Sequence, residues 1–189
     1  QERGCNPGHY CLLNDVPHNR VRLQQNILKF WDQHPDEYRN EHARAFFEGR
    51  RKGGSHGWPS FTSHQDQGVP AEFRKAKYLL SYFCGSDDEN VAIGDAFAQQ
   101  GFATQADAVL ALLDAMKSQP DCHLAIRVHP HLRSKSAESR AFWDNLPLSE
   151  NCSVIAADSP INSYDLIDAS DLVITYASTA GVEASYYGK

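Results

Sequence analysis

Apolar positions change their spacing along the chain, and each change marks an element. From Pro17 to Gln33 (PHNRVRLQQNILKFWDQ), Leu23, Ile27, Phe30 and Trp31 recur at three- and four-residue intervals, which predicts an amphipathic helix. Pro17 suits a first helical position, and His34-Pro35 ends the pattern. A second helix is predicted from Asp36 to Arg50, with Tyr38, His42, Ala45 and Phe46 on one side. Residues 1–50 thus read as a helical appendage that packs onto something else. Residues 51–75 are rich in Gly, Ser, His and Pro and read as a linker or an active-site loop.

From about residue 76 to residue 189 apolar runs alternate with helical patterns. AKYLLSYFC, CHLAIRV, CSVIAA and DLVITYA are the predicted strands. Thr104 opens a helix with Asp107 as its capping-box partner, and Val109, Leu110, Leu112, Leu113 and Met116 form its buried face. Ser136 to Asn145 is a charged helix carrying Phe142 and Trp143, Ser163 caps a short helix SYDLIDAS, and VEASYYGK is the last helix. Nearly continuous apolar strands separated by helices predict α/β architecture, a doubly wound parallel sheet covered on both faces. Right-handed crossovers then place every strand's carboxyl end on one edge, where ligands of such sheets bind.

That edge collects four polar segments: Gly85 to Glu89, His129-Pro130-His131, Asp158-Ser159-Pro160 and Ser178-Thr179-Ala180-Gly181. The last lies between a buried strand and a helix, so its amides and the positive end of the helix suit a phosphate. Gly181 permits close backbone approach, and Glu183, one turn on, suits a sugar diol; the plainer reading is a capped helix with a favourably placed carboxylate. Arg127 and His129 fall on the same side of their strand, so the imidazole can donate to a phosphate oxygen while Arg127 or Arg133 adds charge. Ser159 and Tyr164 are candidates for contact with a base or ribose, against a plain turn. Asp87-Asp88-Glu89 read first as helix-favouring carboxylates and only secondarily as a metal or base group. His56, Trp58 and His64 carry no assignment.

Composition narrows the field without choosing within it. The chain of 189 residues is 41% hydrophobic and 22% charged, with a net charge of −6, which excludes a broad nucleic-acid surface. No apolar run reaches the roughly 18 residues of a membrane span, and no signal-peptide pattern is present. Five scattered cysteines, an odd number, read as free thiols in a reducing, cytoplasmic compartment. Cys5 and Cys11 with His9 and His18 match no trusted zinc spacing, so no metal is assigned. The start at Gln1 reads as a piece of a longer protein.

SDDE after one strand, RVHP after the next, and DSPINSYDLIDASDLVITYASTAGVEASYYGK together resemble bacterial capsule polysaccharide biosynthesis proteins. These are GT-B glycosyltransferases, relatives of capsule Kdo transferases and more distantly of bacterial sialyltransferases. The resemblance covers about Gly49 to Lys189 and is strongest from Ile126, with SxxGVEA its most specific block. It implies the Rossmann-like donor-binding half of a glycosyltransferase, a nucleotide-sugar donor rather than a cofactor, and a glycan acceptor. It also implies that His129 and Ser178-Thr179 hold donor phosphate, with His129 the catalytic candidate, and that Glu183 contacts ribose or sugar. Capsule-assembly partners at the inner face of the membrane follow from the same resemblance. Polyol-phosphate transfer of the teichoic-acid type, and a non-catalytic sugar-nucleotide-binding module, are the alternatives.

Overall fold

The structure is a computed structural model that describes residues 2–3, 10–11, 19–54, 61–85, 101–176 and 178–189. Two compact units divide the chain, Gln1–Ser63 and His64–Lys189. In the first, β1 (Glu2–Arg3) pairs antiparallel with β2 (Tyr10–Cys11). Two helices follow, α1 (Arg20–Gln33) and α2 (Asp36–Arg51). The described helix starts three residues after Pro17, because Asn19 is its cap: the Asn19 side chain accepts from the Arg22 N–H at 3.0 Å. Arg39 stands over the Trp31 ring at 3.9 Å and donates to the Trp31 carbonyl at 2.7 Å, fastening the helix–helix turn. No residue of either helix is buried.

The second unit carries a four-stranded, wholly parallel sheet of β3 (Tyr78–Phe83), β4 (Cys122–Arg127), β5 (Cys152–Ile155) and β6 (Leu172–Thr175), in the order β5-β4-β3-β6. Its described helices are α3 (Gln105–Met116), α4 (Ala137–Asp144), α5 (Ser163–Ala169) and α6 (Ala180–Tyr186). The chain winds outward from β3 through β4 to β5, then returns to the far side of β3 as β6. The strand order therefore reverses between β3 and β6.

Alternation along the strands divides the core into two layers. Tyr82, Leu124, Ile126 and Val128 face Val109, Leu113 and Met116 of α3 and Trp143 of α4. Leu79, Phe83, Ala125 and Ile155 face Leu166 and Ile167 of α5, Ala184 of α6, and Phe73 of the turn Ala71–Lys75. The period-two register sends the two sets to opposite faces of the sheet.

Local chemistry sets the helix ends. Thr104 and Asp107 form the expected reciprocal cap: the Thr104 hydroxyl accepts from the Asp107 N–H, and the Asp107 carboxylate accepts from the Thr104 N–H, both at 3.1 Å. Leu110 is 42% exposed, contrary to its assignment to the buried face, because Val109, Leu113 and Met116 at i, i+4 and i+7 already fill the inward stripe. Asn162, not Ser163, caps α5, its side-chain oxygen accepting from the N–H of Tyr164 and Asp165 at 2.8 and 3.2 Å.

The amino edge of the sheet is tied closed. Asn151 donates to the carbonyls of Met116, Gln119 and Cys122, and the Asp171 carboxylate accepts from the Leu79 N–H at 2.8 Å. The same region holds His123, buried, stacked on Phe73 at 4.7 Å, with no partner for its Nε2. Burial lowers the His123 pKa below its ordinary 6.5, against a weaker opposing pull from Glu72. The unfolded chain therefore binds this proton more readily than the folded one. Stability is at its full value above pH 6.5 and falls as the pH drops through and below that value. In denaturant unfolding at pH 7.5 and 5.5, His123→Phe is expected to lose less midpoint than the wild type. Equal losses in both proteins would contradict this.

Candidate functional site

Parallel pairing brings Cys84-Gly85, Val128-His129, Ala156 to Ser159, Tyr176 and Ser178 to one edge, the carboxyl edge. The ends of β4 and β6 flank that of β3, at two strand spacings or roughly 10 Å from each other. This is the position of strand-order reversal, where a crevice opens in doubly wound sheets. Residues 86–89, which include Asp87, Asp88 and Glu89, lie outside the described residues, as do Cys5, His9, His18, His56 and Trp58.

Arg127, the last residue of β4, is 2% exposed. Its Nη2 donates to the Ser159 carbonyl at 3.2 Å, while Nε and Nη1 are buried without an acceptor. Desolvation lowers the Arg127 pKa to about 10, against opposing pulls from Asp158 and Cys84, so the group is still charged at neutral pH. A buried cation with two unused donors is costly unless an anion joins it. Ser159 serves this arrangement through its backbone, and its hydroxyl accepts from the Ile161 N–H at 3.4 Å.

His129 is half-buried and opens the turn Pro130–Ser134. Its Nδ1 accepts from the His131 N–H at 3.2 Å. An accepting Nδ1 carries no proton, so the neutral ring holds its proton on Nε2, a hydrogen-bond donor.

The turn before α6 departs from the expected open amide cradle. The N–H of Gly181 is taken by the Ser178 carbonyl, and those of Val182 and Glu183 by the Thr179 carbonyl, because the turn closes on itself. Ala180 N–H reaches the Ser178 hydroxyl at 3.4 Å, and the Thr179 side chain makes no capping bond. What this turn offers a ligand is the Ser178 and Thr179 hydroxyls, the Ala180 amide being turned to Ser178 Oγ. Gly181 answers to a neighbour in the fold: a Cβ there would lie 2.8 Å from Thr175 Oγ1 and 3.3 Å from Cγ2. The close approach it permits is thus to β6. Glu183 is half-buried one turn further on. Tyr164, a candidate for base or ribose contact, is 3% exposed in the α5 core layer, edge-on to Tyr187 at 6.1 Å.

Two residues absent from the sequence reading shape this edge. Gln105, fully buried at the start of α3, accepts from the Gly85 N–H at 2.7 Å and donates to the Gly85 carbonyl at 3.3 Å, so that peptide is committed to the protein. Gln65 belongs to the second unit, as do residues 64–75 generally, although composition assigns them to a linker. A glutamine in a polar stretch gives no signal of burial. His64, two residues before Asp66, is exposed. Arg133 lines a cavity of about 130 Å³ with Arg140, Trp143 and Asp144 on the α4 side, and Val128, Ala156 and Asp158 of the carboxyl edge line it too. Among the described residues no group of three or more His, Cys, Asp or Glu is placed to hold a metal, and Cys84, Cys122 and Cys152 are free thiols. No helix among them is long and apolar enough to cross a membrane.

Fold and edge together define a Rossmann-like α/β domain of the kind found as one half of a glycosyltransferase. The sequence profile of the capsule polysaccharide biosynthesis proteins matches residues 31–189, and the chain belongs to that family. Among solved structures it is similar to Thermosulfurimonas dismutans KpsC, a beta Kdo 2,4 transferase, with a TM-score of 0.50 and 18% identity. The match covers 82% of this chain and 44% of that one, so the chain spans less than half the length of this relative. No curated protein matches the chain.

Proposed function

We propose that the carboxyl edge binds the phosphate of a nucleotide-sugar donor, and that the protein takes part in sugar transfer to a capsular polysaccharide. The observation that carries this reading is Arg127: a charged, buried guanidinium with two donor nitrogens, Nε and Nη1, that have no acceptor, beside the strand-order reversal of the sheet. Family membership supports the polymer, and the solved neighbour's activity as a Kdo transferase supports glycosyl transfer as the reaction.

In this reading an acceptor hydroxyl oxygen bonds to the anomeric carbon and gives up its proton, the bond from that carbon to the donor phosphate oxygen breaks, and negative charge grows on the departing phosphate. Fixed donors stabilise that charge more than they stabilise the intact donor, which accelerates the step. Arg127 supplies the positive charge, and His129 supplies an Nε2–H whose direction is set by the bond at Nδ1. The Ser178 and Thr179 hydroxyls hold further phosphate oxygens, the Ala180 N–H holding Ser178 Oγ in place, and Glu183 accepts from a ribose or sugar diol. Ser159 orients Arg127 through its carbonyl.

Calorimetric titration with CMP, CDP, UDP and GDP tests the reading. His129→Ala is expected to weaken the best-bound nucleotide by about tenfold or more, the equivalent of one hydrogen bond to a charged group. Equal binding by mutant and wild type would remove His129 from the site.

A further inference from the structure

Segment 65–67 is fastened to the turn between β5 and α5 by four hydrogen bonds. The Gln65 side-chain Oε1 accepts from the Ser163 N–H at 2.9 Å, and the Gln65 carbonyl accepts from the Asn162 side-chain amide at 2.8 Å. The Asn162 N–H donates to the Gln67 carbonyl at 2.7 Å, and the Gln67 N–H donates to the Pro160 carbonyl at 3.0 Å. Gln67 and Ile161 form a parallel bridge, so 65–67 is a short extra strand laid along 160–163. Gln65 is 6% exposed, and its loss would leave the Ser163 N–H without its acceptor in a partly buried place. This same turn carries the Ser159 carbonyl, the one described acceptor of the Arg127 guanidinium.

We infer that Gln65 is a positioning residue for the anion site: it holds the turn at 159–163 where the Ser159 carbonyl orients the Arg127 guanidinium. The inference rests on the donor-phosphate reading for its functional consequence, but not for its geometry. In register Arg127 lies between Phe83 and Ile155, and Asp158 acts on its charge without a hydrogen bond to it among the described contacts. Its direction is therefore set by one carbonyl, and that carbonyl's place is set by the strap. A displacement of about 1 Å at such a donor is enough to lower binding or rate severalfold or more.

The test uses the full chain and two readouts, the Nε–H cross-peak of Arg127 in ¹⁵N NMR (assigned by its loss in Arg127→Lys) and the affinity for inorganic pyrophosphate. Gln65→Leu is expected to move the Arg127 cross-peak and to weaken pyrophosphate binding about tenfold. Gln65→Glu, which keeps an oxygen to accept from the Ser163 N–H, is expected to restore both. Gln65→Asn withdraws the amide by one methylene and gives the same test should the leucine variant fail to fold. A variant that lowers the unfolding midpoint yet leaves the cross-peak where it was would overturn the inference, Gln65 being then only a structural residue. If wild type does not bind pyrophosphate, the donor-phosphate reading fails, and the cross-peak alone still decides for or against Gln65.

Discussion

Arg127→Met is expected to weaken nucleotide binding by about thirtyfold or more while leaving the protein as stable as before. The two effects separate because the guanidinium does different things to them. Binding loses a buried charge pair, for which about 2 kcal/mol or more is typical, and 1.4 kcal/mol is a factor of ten. Folding loses a cation that burial already disfavours, as its pKa of about 10 records. Methionine keeps most of the apolar stem between Phe83 and Ile155, and replacing buried charge by apolar volume is commonly neutral or stabilising by about 1–4 kcal/mol. The Ser159 carbonyl loses a donor, an opposing effect of roughly 1 kcal/mol. Calorimetry with the best-bound nucleotide and a denaturant curve on the same protein read the two quantities. Lost stability with unchanged affinity would reverse the account and make Arg127 structural.

The second large effect lies at Gly181. Adding one methyl group there brings a Cβ to 2.8 Å from Thr175 Oγ1, closer than atoms tolerate. Thr175 is the last residue of β6 and is β-branched, so its χ1 has little freedom to yield. Overpacking of this kind costs about 1–3 kcal/mol. Gly181→Ala is therefore expected to lower the unfolding free energy by that amount, and to weaken nucleotide binding as α6 is pushed from β6. Thr175→Ala removes both offending atoms, so the double variant should recover most of the loss. The coupling between the two sites is the diagnostic quantity. Additive losses would show that the clash is relieved elsewhere and that Gly181 has another reason to be glycine.

Much of this architecture is readable from residues because two signals are strong. Short, nearly continuous apolar runs such as YLLSYF and CHLAIR are buried on both faces and read as parallel strands, and Thr104 with Asp107 marks a helix start by chemistry alone. The segments that meet at the carboxyl edge follow from the same topology. The less legible parts depend on three-dimensional neighbours. Tyr164 sits in a polar-looking turn sequence, yet helix geometry rotates it into the core. Gly181 suggests a phosphate-approach glycine, but the atom it avoids belongs to a threonine six residues earlier, on the adjoining strand. Gln65 and Gln105 are ordinary polar residues in sequence, and only their backbone partners at Ser163 and Gly85 reveal that they are buried and bonded. Arg127 shows the converse: its position at the edge is readable, but its isolation from any counter-charge in hydrogen-bonding reach is a property of the folded chain.

Amide chemical-shift mapping during a nucleotide titration addresses the phosphate-binding edge most directly. Shifts are expected at His129 and His131, at Ser159 to Ile161, and at Ser178 to Gly181, with Tyr78, His123 and Asp171 at the opposite edge unmoved. Perturbations gathered at that opposite edge, or none at millimolar nucleotide, would contradict the assignment of the carboxyl edge as the donor site.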